Sequence, residues 1–118
     1  MPRQAPGYRL MKGEDFYPST AAGLTATASG VQGNSFQISA DISQFTTVTT
    51  AADSAVLPVA TAGAKYYVIN GSANSMGVFP ALGDKINALS ANAVYALAAG
   101  KNVEFICPVS LQWYTNPA

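Results

Sequence analysis

The sequence predicts a mainly β fold: a compact β-sandwich, jelly-roll-like or barrel-like domain over residues 21–118, preceded by an extended N-terminal arm over residues 1–20. Three observations carry this reading. Short apolar or alternating runs recur from residue 35 onward, each bounded by Gly, Asn or Pro. Helical spacing arises only over residues 84–99, where it competes with a strand pattern. The first 20 residues sustain neither period, yet hold three of the seven prolines and the aromatics Tyr8, Phe16 and Tyr17.

Ordering about 15 arm residues costs on the order of 15–20 kcal/mol of backbone entropy. Burying Tyr8, Leu10, Met11, Phe16 and Tyr17 contributes about 8–15 kcal/mol in return. The sums nearly cancel, so the arm is expected to order only against a partner or a neighbouring subunit. Those five side chains are the predicted interface residues.

Residues 21–34 are small and polar, a linker or a weak strand around 24–28. Ser35-Phe36-Gln37-Ile38-Ser39 alternates as a half-buried strand does. Residues 42–49 are Thr-rich, with Phe45 and Val48 apolar. Residues 55–59 contain Pro58, which removes a ladder donor and marks an edge strand or a strand end. Lys65-Tyr66-Tyr67-Val68-Ile69 is apolar on both faces, so it belongs in the middle of a sheet or at an interface. Asn70-Gly71 opens a loop that should turn the chain back as a hairpin into Met76-Gly77-Val78-Phe79.

Over 84–99, Ile86, Leu89, Ala93 and Leu97 lie near helical spacing, with Asp84 as an N-cap and Gly100 as a stop. Asn87, Ser90 and Asn92 oppose a helix. The preferred reading is a loop to residue 92 and then a hairpin: strand 94–97, turn Ala98-Ala99-Gly100-Lys101, strand 102–107. In that last strand Val103, Phe105 and Cys107 share one face, and Asn102, Glu104 and Ile106 the other. Ser110-Leu111-Gln112-Trp113-Tyr114 forms a final strand. No internal repeat stands out.

Composition narrows function. Charged residues are 10% of the chain, against about 25% in an ordinary soluble domain. A surface so sparsely charged can be covered without stranding charges, which suits a protein packed against others. The six basic residues, Arg3, Arg9, Lys12, Lys65, Lys85 and Lys101, are scattered and balanced by six acidic ones, so no nucleic-acid partner is expected. No apolar run approaches the roughly 18 residues of a membrane span. The N-terminus lacks the apolar stretch of a signal peptide, and a lone Cys107 suits a reducing cytoplasm.

The chain has no histidine, hence neither the commonest general base nor the commonest metal ligand. One cysteine cannot build a zinc site, and Asp41, Asp53, Asp84 and Glu104 are separated in sequence. No serine lies in a Gly-x-Ser-x-Gly elbow. The expectation is a protein without enzymatic activity, metal or cofactor.

Two stretches carry a family resemblance. Val56-Leu57-Pro58-Val59-Ala60-Thr61-Ala62-Gly63-Ala64-Lys65-Tyr66-Tyr67-Val68-Ile69-Asn70 resembles a strand–turn–strand pattern of small tailed-bacteriophage virion proteins. Val78-Phe79-Pro80-Ala81-Leu82-Gly83-Asp84-Lys85-Ile86-Asn87 continues it, followed by residues 97–107 and Trp113-Tyr114. The match covers about residues 45–114 and is similar to β-modules of head decoration (capsid cement) proteins and of phage fibres. It implies a homotrimer on the outer surface of the capsid that binds the major capsid protein and bridges capsomers. It also allows a short head or tail fibre, or a spike tip, that binds a host surface glycan.

Overall fold

In the computed structural model, which describes residues 17–118, ten strands follow one another and no helix forms. They are β1 (Thr20–Thr25), β2 (Phe36–Gln37), β3 (Ile42–Thr47), β4 (Ser54–Val56), β5 (Lys65–Asn70), β6 (Met76–Phe79), β7 (Lys85–Ile86), β8 (Tyr95–Leu97), β9 (Asn102–Val109) and β10 (Gln112–Asn116). One sheet has the order β1-β3-β5-β9-β10-β7, the other β2-β4-β6-β8. From β1 to β9 the chain therefore changes sheet at every step, and only β9 to β10 is a hairpin.

This alternation makes strands one coil apart run in the same direction. β1, β3 and β5 are parallel neighbours, as are β2, β4 and β6. Thr20, Ile42 and Tyr67 align at steps of 22 and 25 residues, and Phe36, Ala55 and Val78 at steps of 19 and 23. Coils of about 20 residues that bury their apolar side against the next coil are the logic of a solenoid. The final strands then close one end, with β8 antiparallel to β6, and β9 antiparallel to β5 and β10.

The mainly β expectation stands, in a compact domain. Its arrangement is solenoid-like rather than clearly a sandwich, jelly roll or barrel. The repeat that sequence reading misses is structural, with unequal steps and no shared residue pattern.

The two predicted hairpins are corrected. β5 and β6 lie in different sheets, and so do β8 and β9. The turns at Asn70-Gly71 and at residues 98–101 are crossovers, and Asn70 binds one to the other. Its buried amide donates to the carbonyls of Asn74 (2.8 Å), Leu97 (3.1 Å) and Ala98 (3.3 Å). Its backbone N–H reaches the Lys101 carbonyl at 2.9 Å. Gly100 does adopt positive φ (70°), but the chain it redirects enters the other sheet.

Other expectations resolve more simply. The strand expected over 35–39 shortens to β2, yet Ile38 beyond it is fully buried. Pro58 follows the end of β4, an interior strand of its sheet, so the proline marks a strand end and not an edge. β5 is central, between β3 and β9, as predicted. The segment from Asp84 is loop and short strand rather than helix, and the last strand begins at Gln112 because Ser110 and Leu111 make the turn.

The core lies between the sheets. Edge-to-face pairs join them: Phe36 with Phe45 at 5.4 Å, and Tyr95 with Phe105 at 5.6 Å. Each contributes about 0.5–1.5 kcal/mol beyond the area it buries. Trp113 is fully buried in β10, where it fills the interior and meets Tyr66 at 5.8 Å.

Candidate interaction surface on the six-stranded sheet

Strand alternation sorts the six-stranded sheet into two faces. Ser43, Phe45, Val68, Val103, Phe105 and Trp113 are buried and face the core. The residues between them point outward and fall into register. One row runs Thr20, Ile42, Tyr67, Glu104, Asn116 across five strands. The row on one side is Lys65, Ile106, Tyr114, and on the other Gln44, Ile69, Asn102. Ile42, Tyr67, Ile69 and Ile106 are half-buried and Tyr114 is 50% exposed. The face thus has an apolar and aromatic centre, with a few polar side chains among it.

A groove of about 550 Å³ opens at one end of this face, lined by Pro18, Asp41, Ile42, Lys65, Tyr67 and Glu104 among others. The chain enters the domain there. The backbone N–H of Ser19 donates to the Asp41 carboxylate, the N–H of Asp41 to the Ser19 hydroxyl, and the N–H of Ile42 to the Ser19 carbonyl, all at 3.0 Å. Three bonds fix residue 19 beside the groove. Of the predicted interface residues, Tyr8, Leu10, Met11 and Phe16 lie outside the described residues. Tyr17, 77% exposed, immediately precedes the groove residue Pro18.

The outward partners Ile42, Ile106 and Tyr114 are not among the predicted site residues. A signal exists for Ile106, whose strand alternates cleanly, and in the two-faced apolar character of Lys65-Tyr66-Tyr67-Val68-Ile69. Ile42 and Tyr114 become part of a surface only once strand order is known.

The buried polar side chains serve the fold. Asp84 accepts from the Ala60 N–H at 2.8 Å and ties the stretch after Pro58 to the loop before β7. Asp53 accepts from the backbone N–H groups of Ser29, Thr49 and Thr50 and from the Thr50 hydroxyl. Burial alone would raise its carboxyl, but these four donors together hold its pKa below the ordinary carboxylate value. Burial pushes the Cys107 thiol up, and the nearby Asp84 charge adds to the shift. Its Sγ donates weakly to the Val109 carbonyl, which is the environment of an inert core thiol.

No three of Asp, Glu and Cys converge in a metal-ligating group among the described residues. No described helix is long and apolar enough to cross a membrane. Comparison with protein-family models, with curated proteins and with solved structures gives no match.

Proposed function

We propose that this chain is a bacteriophage virion structural protein, a capsid decoration (cement) protein without enzymatic activity or cofactor. Made in the host cytoplasm, it assembles as a homotrimer on the outer surface of the capsid, binds the major capsid protein and bridges neighbouring capsomers. The observation that carries this reading is the outer face of the six-stranded sheet, which presents Ile42, Tyr67, Ile69, Ile106 and Tyr114 across four strands with Lys65 and Glu104 among them. Contiguous apolar patches of this kind mark surfaces that are covered in use. The resemblance over residues 45–114 supplies the virion context.

In this reading the body is a rigid block, its two sheets stacked in sandwich-like fashion, and residues 1–20 reach onto the shell through Tyr8, Leu10, Met11, Phe16 and Tyr17. Trimeric symmetry multiplies weak contacts: once one arm is bound, the other two act at high effective concentration. The direct test is co-sedimentation of the purified chain with empty heads of the parent phage, followed by microscopy of the decorated particles. Density at three-fold or quasi-three-fold positions is expected. A chain that stays in the supernatant at every concentration overturns the reading.

A second reading, a fibre or spike tip that binds host surface glycan, draws on the groove. Tyr67 beside Asp41 and Glu104 supplies the aromatic face and the hydrogen-bond acceptors with which proteins hold sugars. Binding to bacterial surface glycan, lost on replacing Tyr67, together with no binding to empty heads, would select it.

A further inference from the structure

We infer that the outer face of the six-stranded sheet is where copies of this chain meet, with Lys65 of one copy facing Glu104 of the next. The inference rests on the oligomeric reading above and names the surface that the reading leaves open.

Charge is the first argument. On this face Lys65 stands opposite Ile106, and Glu104 opposite Tyr67. A lysine and a glutamate thus sit on adjacent strands two residues out of register, flanked by Ile42, Ile106 and Tyr114. With Lys65 of one copy set against Glu104 of the next, and the contact repeated around a three-fold axis, every such charge finds its opposite beside the apolar centre. A partner of uniform charge would leave one of the two unpaired as it covered them.

The second argument is that two other surfaces are less suited to self-association. Edge-to-edge growth would begin at β1, the first strand of the six-stranded sheet, whose pairing with β3 shifts register on both sides of Leu24 and whose Gly23 has φ +68°. Such a break in the edge blunts strand addition. Part of the outer face of the four-stranded sheet is covered by the chain itself: Val94 lies over Gly77, and Ser35 meets Ser54. The broad face centred on Tyr67 carries both large apolar side chains and charges of both signs.

Sedimentation equilibrium of the full chain tests this. The expected mass is three times the 12.2 kDa of one protomer. Tyr67→Glu should reduce it to one protomer with the far-ultraviolet circular dichroism unchanged. Lys65→Glu and Glu104→Lys should each weaken association at least about tenfold, and the double exchange should restore it to within about threefold. The double exchange guards against misfolding, since a misfolded single variant is not rescued by a second charge reversal.

Three outcomes overturn the inference: a wild-type chain with the mass of one protomer, a folded Tyr67→Glu chain that keeps its oligomeric mass, or a double exchange that stays dissociated. Failure of the capsid reading looks different. A trimer sensitive to Tyr67→Glu that does not pellet with heads removes the capsid and leaves the interface. A monomer that pellets with heads does the reverse.

Discussion

The two sheets of this domain share a core but treat their outer faces in opposite ways. On the four-stranded sheet one outward row is small, Ser54, Gly77 and Ala96 side by side in register, and the next holds Val56 and Phe79. The chain uses the space to cover itself. Val94 packs over Gly77, the Ser35 and Ser54 hydroxyls meet at 2.6 Å, and Gly30 fits against both serines. On the six-stranded sheet the outward positions at the centre are large: Tyr67 and Ile106 are half-buried and Tyr114 is 50% exposed. Where a chain covers its own sheet, close backbone approach selects small residues. Large apolar side chains on an uncovered face point to contact with another molecule.

The largest expected effect is at the join between the sheets. Asn70 is fully buried, and its amide serves carbonyls on both crossovers while its oxygen accepts from Ser72. Asn70→Asp would turn a carboxylate toward three carbonyls and remove every side-chain donor. It should cost more than about 3 kcal/mol, as for a buried charge deprived of partners. Urea unfolding of the two proteins measures it. A change under about 1 kcal/mol would mean that the crossovers hold together without Asn70.

Next comes the self-covered face. At Gly30 an added side chain would meet the Ser54 and Ser35 hydroxyls and the Asn34 carbonyl oxygen. Gly30→Val should therefore lower stability by about 2–3 kcal/mol through overpacking and the loss of the Ser35–Ser54 bond. If the loop swings away and stability is kept, the face is not closed in the way described.

This pair of faces also shows how far the amino-acid sequence reveals the fold. β9 is legible because it is long enough to show alternation, and β5 because its run of large apolar side chains marks a central strand. Alternation alone puts Glu104 and Ile106 on the face opposite Phe105. β2, β4 and β8 are two or three residues long, and a period of two cannot establish itself over so short a run. Asn70-Gly71 and Gly100 do mark reversals, but not hairpins. A turn residue fixes a local dihedral, whereas the sheet entered by the following strand depends on contacts such as those of Asn70, 27 and 28 residues away. Parallel pairing at unequal steps leaves no repeat in the letters. The interaction surface is half legible for the same reason, since Ile42 and Tyr114 join Tyr67 only through strand order.

Acid offers a narrower probe of the self-covered side, because Asp53 binds the Ser29 N–H at its root. Its pKa is lower folded than unfolded. It therefore stabilises the fold above its unfolded value, about 4, and that contribution disappears as pH falls through the folded value. Asp53→Asn should flatten the fall in stability below about pH 4 relative to wild type. Parallel slopes for the two proteins would show that other carboxyls carry the acid sensitivity.

The smallest effect on folding should come from the uncovered face, and there it is most informative. Tyr67→Thr keeps a good strand former at a central position while removing the aromatic ring. In a dissociated protomer, the ring is half in solvent and its loss should change stability by less than about 1 kcal/mol. In an oligomer built on this face the same change removes a central contact, and unfolding becomes linked to association. The wild-type melting temperature should then rise with protein concentration, while that of Tyr67→Thr stays constant. If both melting temperatures ignore concentration, Tyr67 is merely a tolerated surface tyrosine, and the contrast between the sheets reflects how the chain covers itself and not where a second copy binds.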